Sequence, residues 1–152
     1  MNAFTIYLGG PITGKTANEV FDFFEKTAID LRNEGFRVLH PMIGKDNLRT
    51  EVEFKDKGYV TNPVTTDKAI TARDNWAVNQ SDILFMDFSS SGDRVSIGSV
   101  IEIAWASQLN KQIVVVIPEG NIHAHAMLLQ SATVVFESRD EAMFYLQQYS
   151  AV

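Results

Sequence analysis

Ser96-Ile97-Gly98-Ser99-Val100-Ile101-Glu102-Ile103-Ala104-Trp105-Ala106 is the stretch whose reading decides the fold. It follows the apolar run Ile83-Leu84-Phe85-Met86-Asp87-Phe88 and a loop with Ser and Gly from Ser89 to Arg94. An unbroken apolar run reads as a strand buried on both faces, the kind that parallel sheets contain. The stretch after it reads as a helix to about Leu109. Glu102 stands in its second turn among Val100, Ile101, Ile103 and Ala104. A carboxylate in so apolar a run costs free energy to desolvate unless it is paired or employed. In open α/β sheets ligands bind where strands end and helices begin. Glu102 is therefore a candidate catalytic nucleophile. The alternative is a Glu on the solvated face of an amphipathic helix.

The same alternation extends in both directions. Phe4-Thr5-Ile6-Tyr7-Leu8 is a strand running into the turn Gly9-Gly10-Pro11. Residues 16–34 form a helix with Val20, Phe23, Phe24, Thr27 and Leu31 on one stripe, stopped by Gly35. Phe36-Arg37-Val38-Leu39 is a second strand. Gly44 to Asp67 lacks regular elements. A loop of that length is either a lid or binding loop, or a tolerated surface insertion. Lys68 to Gln80 reads as a helix burying Ile70, Trp76 and Ala77. Ile113-Val114-Val115-Val116-Ile117 is another buried strand. His123 to Gln130 is a short helix or turn, and Thr133-Val134-Val135-Phe136 a last short strand. Arg139 to Tyr149 is a closing helix with a capping-box start at Ser138 and Glu141. Strands alternating with helices predict an α/β architecture with a mainly parallel five-stranded sheet. One domain is expected over residues 1–152, with no internal repeat.

Bulk properties exclude several classes of function. The 152-residue chain carries a net charge of -6, against a general nucleic-acid surface and against attraction to anionic lipid. It has no cysteine, so disulfides, thiolate metal sites and Cys nucleophiles are absent. No window approaches the ~18 apolar residues of a membrane span, and Met1 to Tyr7 lacks a signal-peptide pattern. A soluble, cytoplasmic protein is expected.

Gly9-Gly10-Pro11-Ile12-Thr13-Gly14-Lys15-Thr16 fits the GxxxxGK[ST] phosphate-loop pattern between a strand and a helix. Ile83 to Asp87 resembles the strand whose terminal Asp holds magnesium in such enzymes. The arginines (32, 37, 49, 73, 94 and 139) are few and scattered, however, and a phosphotransferase needs more of them. A milder reading keeps the turn as a seat for an anion or a sugar hydroxyl at a helix N-terminus.

In a parallel sheet the post-strand loops share one edge, so Tyr7, Ser96, Glu102 and His125 can converge there. Asp74 joins them only if its helix turns that face to the edge. His123 and His125 form a His-x-His pair without an obvious third ligand, and no metal is expected.

Three pieces carry a resemblance to the nucleoside 2-deoxyribosyltransferase family and its nucleotide N-glycosidase relatives. They are Thr5-Ile6-Tyr7-Leu8-Gly9-Gly10, Asp74 set eight residues before Asp82-Ile83-Leu84, and Ser96 through Ala104 followed by a buried strand. The resemblance covers residues 4 to about 130, and the last piece is the most specific. The Gly-Pro-Ile-Thr-Gly turn also resembles a form common in that superfamily.

The resemblance implies a flavodoxin-like (Rossmann-like) three-layer sandwich and cleavage of an N-glycosidic bond without a cofactor. By similarity Glu102 attacks the anomeric carbon and holds the sugar as a glycosyl-enzyme, as retaining glycosidases do. Tyr7 orients Glu102, and Asp74 contacts the base and protonates the leaving nitrogen. Gly9, Gly10, Ile12, Gly14, Ser96, Gly98, His125 and Met127 are the implied substrate-binding positions. Lys15 and Thr16 are further phosphate candidates. Transferases in the family commonly carry Asp where Ser96 stands; the nucleotide-hydrolysing relatives carry Ser, which donates to a 5'-phosphate. His125 falls where a neighbouring subunit contributes Asn or Ser, so a homo-oligomer is implied. The implied partners are a small nucleoside or nucleotide and a nucleobase. Deoxyribosyl transfer between bases, in nucleoside salvage, is the leading expectation, with 5'-monophosphate hydrolysis as the alternative. A phosphate-loop phosphotransferase and a non-catalytic nucleotide-binding module remain as other classes.

Overall fold

The computed structural model describes residues 3–150. Five strands form one all-parallel sheet: β1 (Thr5–Gly9), β2 (Arg37–Leu39), β3 (Ile83–Asp87), β4 (Gln112–Val116) and β5 (Val134–Phe136), in the order β2-β1-β3-β4-β5. Between them run α1 (Ala17–Asn33), α2 (Asp67–Gln80), α3 (Ile97–Gln108), α4 (Ala126–Ser131) and, last, α5 (Arg139–Ser150). This is the flavodoxin-like doubly wound arrangement expected from the sequence, with the sheet wholly rather than mainly parallel.

The period of two along each strand divides the core into two layers. Ile6, Leu8, Phe85 and Val114 pack on one face with Phe24 and Leu31 of α1 and Ala142 and Leu146 of α5. Tyr7, Leu84, Met86, Ile113 and Val115 face the other way, against Ala77 and Val78 of α2, Ile103 and Ala106 of α3 and Leu128 of α4. Tyr7 pairs with Leu84 and Leu84 with Ile113, so Tyr7 lies on the α3 side of the sheet. That register decides which helix its hydroxyl can reach.

Helix starts follow local chemistry. Thr16 and Glu19 close a capping box on α1: the Thr16 side chain accepts from the Glu19 amide, and the Glu19 carboxylate accepts from the Thr16 amide. Thr16 is thus the cap of α1. Ser138 caps α5 as its spacing with Glu141 predicts. Gly35 takes φ 97°, the left-handed stop expected after α1.

Two expectations change. Trp76, taken as a core residue of α2, is 55% exposed, because α2 turns Ala77 and Val78 to the sheet instead. The segment from Gly44 to Thr66 is not a loose insertion. It carries short 3-10 turns at Asp46–Leu48 and Pro63–Thr65, and it buries Leu48, Phe54, Tyr59 and Thr65. Phe54 is tied to the β1–α1 turn in both directions: Gly14 N–H donates to its carbonyl at 2.9 Å, and its own N–H donates to the Lys15 carbonyl at 2.8 Å.

Candidate active site

The C-terminal sheet edge opens into a cavity of about 530 Å3. Its walls come from the β1–α1 turn, the segment after β2, one face of α2 and the N-terminal half of α3. Gly10, Ile12, Asp74, Ser96, Gly98 and Glu102 line it. α2 therefore turns Asp74 to the same cavity as Glu102.

Glu102 is 7% exposed and accepts a hydrogen bond from the Tyr7 hydroxyl through Oε2. Tyr7 itself is fully buried. Burial, with the Glu102 and Asp74 charges next in weight, pushes its phenol well above the ordinary value, so it stays a donor. One carboxylate oxygen of Glu102 is thus held by Tyr7, which leaves Oε1 for chemistry. Burial, and then the Asp74 charge, raise Glu102 to about 8. The Tyr7 hydrogen bond and the Lys45 charge oppose that rise. Asp74 is also raised, by burial above all, against the pull of Lys45 and Arg73. Two carboxyls so placed titrate as a coupled pair. In the arrangement with the proton on Asp74, an ionised Glu102 would stand beside a carboxylic acid.

Ser96 begins α3 and is fixed from two directions. Its hydroxyl lies 2.8 Å from the Ser99 hydroxyl, and its N–H donates to His123 Nε2 at 2.8 Å. His123 stacks on Phe88 with centroids 4.0 Å apart, and its Nδ1 lies 3.0 Å from Asn121 Oδ1. Because Nε2 accepts from Ser96, Nδ1 carries the proton and donates to Asn121. Burial lowers the His123 pKa and keeps the ring neutral. The family resemblance gives His125 to the site of a neighbouring subunit. Within one chain it is His123 that supports Ser96, whereas His125 caps α4 by accepting from the Met127 amide at 3.2 Å. His125 and Met127 do not line this cavity, and Met127 is 76% exposed. His123 is thus bonded to Ser96 and Asn121, and His125 to the amide that starts α4. Among the described residues no three His, Asp or Glu side chains converge as a metal site needs.

The glycines of the first turn divide by role. A Cβ on Gly9 would lie 2.4 Å from Met86 Cε, and one on Gly10 would lie 2.9 Å from Phe23 Cε1 and 3.1 Å from the Asp87 carbonyl. Gly9 therefore serves packing, whereas Gly10 serves both packing and the cavity wall. Gly14 has φ 83° and does not line the cavity. Gly98 has open space before it, at the first turn of α3.

The phosphate-loop pattern does not form a phosphate cradle. Gly14 N–H donates to Phe54, Lys15 N–H to the Ile12 carbonyl at 3.1 Å, and Thr16 N–H to Glu19. Lys15 Nζ donates to the Ser90 carbonyl at 2.7 Å, which ties the turn to the loop before α3. The amides of Gly14, Lys15 and Thr16 and the Lys15 ammonium are thus engaged within the protein.

Sequence reasoning missed two cations. Arg94 lines the cavity on the approach to Ser96. Lys45 lies after β2, lines the same cavity, and is only 3% exposed. In the sequence it is one charge among many in an irregular segment, and its burial is a tertiary fact.

No family model matches the chain, and no curated protein matches it by sequence. Solved structures do match by fold. A 2-deoxyribosyltransferase from the psychrotolerant bacterium Bacillus psychrosaccharolyticus superposes with a TM-score of 0.62 at 22% identity, covering 95% of this chain and 91% of that one. The CMP N-glycosidase BcmB of Clostridium botulinum gives 0.58 at 19% identity, over 95% and 98% of the two chains. A conserved protein of Enterococcus faecalis gives 0.63 at 16%, over 99% and 98%. The chain therefore has the fold of nucleoside deoxyribosyltransferases and of a nucleotide N-glycosidase. No helix among the described residues is long and apolar enough to cross a membrane.

Proposed function

We propose that this chain cleaves the N-glycosidic bond of 2'-deoxynucleosides or their 5'-monophosphates and transfers the deoxyribosyl group to another nucleobase. The observation that carries the proposal is the Tyr7–Glu102 hydrogen bond at the wall of a cavity that Asp74 also lines. Glu102 Oε1 bonds to the anomeric carbon as the bond to the base nitrogen breaks. The electron pair leaves with the base, and Asp74 delivers its proton there. The resulting ester is then attacked at the same carbon by a nitrogen of a second base. Asp74 takes the proton from that nitrogen, and Glu102 departs as a carboxylate. No cofactor is required at any step. The substrate partners are small molecules, and the exposed His125 and Met127 are assigned to completing the site of a neighbouring copy in a homo-oligomer.

Hydrolysis of a 5'-monophosphate is the second reading, and one feature favours it. Arg94 and Ser96 line the end of the cavity at the start of α3, and a guanidinium beside a hydroxyl suits a phosphate. In that case water replaces the second base, and Asp74 takes its proton.

The test is incubation with deoxynucleosides and deoxynucleoside 5'-monophosphates, each with and without a free acceptor base. Base exchange that needs the acceptor supports transfer, whereas base release without it supports hydrolysis. Neither product from any substrate contradicts both readings.

A further inference from the structure

Lys45 is a buried cation that the mechanism above does not use. Its side chain is 3% exposed, yet among the described residues its ammonium makes no hydrogen bond and no ion pair; the four ion pairs present belong to Lys26, Arg49 and Arg139. It is not sealed in the protein either, because it lines the cavity with Asp74 and Glu102. An ammonium that reaches the cavity with no acceptor from the protein has its donors free for acceptors that arrive with a ligand.

Position says which part of the ligand. Lys45 follows β2, at the edge of the sheet beyond β1, whereas Ser96 and Arg94 follow β3 on the other side. Glu102 lies between them on α3, facing Tyr7 of β1. A sugar seated over Glu102 with its 5' end toward Ser96 points its base toward Asp74 and Lys45. The Lys45 charge acts on both carboxyls, yet among the described residues Lys45 forms an ion pair with neither.

We infer that Lys45 selects nucleobases that carry an exocyclic oxygen beside the ring nitrogen that Asp74 protonates. Two donors then meet two acceptors: the Asp74 carboxyl proton goes to the ring nitrogen, and the Lys45 ammonium donates to the oxo group. In a 6-oxopurine these atoms are N7 and O6, and in cytosine they are N3 and O2. Adenine sets an amino group beside N7, so donor faces donor and the ammonium is left unpaired. The same ammonium offsets the negative charge that spreads onto the oxo group as the base leaves. This rests on the glycosidic reading of the site.

2'-Deoxyinosine and 2'-deoxyadenosine differ at the purine 6-position, which makes them the probe pair. Their binding to Glu102→Ala protein, measured by calorimetry, needs no turnover and so separates this inference from the reaction itself. The expected result is binding of deoxyinosine at least about tenfold tighter than deoxyadenosine. Adding Lys45→Met, which keeps the apolar stem, removes the preference by weakening deoxyinosine while deoxyadenosine is unchanged or strengthened. Lys45→Gln, whose amide both donates and accepts, shrinks it by strengthening deoxyadenosine. Equal affinities in the parent protein, or equal losses for both ligands on Lys45→Met, overturn the inference. A loss confined to the 5'-monophosphates of both bases also overturns it, because Lys45 is then a phosphate ligand. Oxo preference in binding with no base release from any substrate leaves the inference standing and removes the glycosidic reading.

Discussion

At Glu102, function and stability pull in opposite directions. A glutamate ordinarily titrates near 4.3 in an unfolded chain. Burial and the neighbouring Asp74 hold it at about 8 in the fold. Between those values the folded chain keeps a proton that the unfolded chain has released. The folded state therefore binds more protons there, and this group's contribution to stability falls as pH rises. Glu102→Gln keeps an acceptor for the Tyr7 hydroxyl and removes the titration. Thermal unfolding is expected to show the variant several degrees more stable than the parent at pH 8, with a smaller margin at pH 5. A margin that does not change with pH contradicts the assigned environment. The sequence already hinted at this conflict, since a lone carboxylate among Val100, Ile101, Ile103 and Ala104 is expensive. It carried no such hint for Lys45, because a lysine in an irregular, charge-rich segment is ordinarily solvated.

The β3–α3 connection is the element on which the site depends. Its loop is held at Ser91 by the Phe88 carbonyl, at Ser90 by Lys15, and at Ser96 by His123. His123→Phe keeps the stack on Phe88 but leaves the Ser96 amide without its acceptor. That change is expected to cost about 1–3 kcal/mol of unfolding free energy. Hydrogen exchange at Ser96 is expected to accelerate more than at the centre of β3. Exchange at Ser96 unchanged from the parent would show that His123 does not position the loop. Periodicity made the strands and helices legible to within a residue or two, except α4, which starts at Ala126 and not at His123. It could not choose between His123 and His125, because both follow the same strand and only the backbone path after Pro118 decides which ring turns inward. Trp76 failed for a related reason: α2 has weak amphipathicity, so its sequence does not mark its buried face, and sheet contact selects Ala77 and Val78. The Gly-Pro-Ile-Thr-Gly-Lys-Thr turn shows the limit of short motifs, since its letters match a phosphate loop while its amides are spent on Phe54, Ile12 and Glu19.

Over the whole molecule, the order β2-β1-β3 turns three chain-distant loops into one wall. The segment after β2 brings Lys45, the turn after β1 brings Gly10 and Ile12, and the elements flanking β3 bring Asp74, Ser96 and Glu102, with Tyr7 of β1 buried behind Glu102. The alternation of β1 sends Tyr7 to the α3 side, which is why residues 95 positions apart share a hydrogen bond. The convergence of strand ends was legible from the parallel pattern, because that pattern alone places every post-strand loop on one edge. The face of α2 and the cover formed by Phe54 and Tyr59 were not, since both arise from packing between segments with no periodic signature. The central claim is that Glu102 becomes covalently linked to the sugar. Mass spectrometry of protein quenched during turnover, after digestion, tests it most directly. The account predicts a deoxyribosyl adduct, phosphorylated if the substrate is a 5'-monophosphate, on the peptide that contains Glu102, and neither adduct nor turnover in Glu102→Ala. Base release that persists in Glu102→Ala, or an adduct on any other residue, would contradict it.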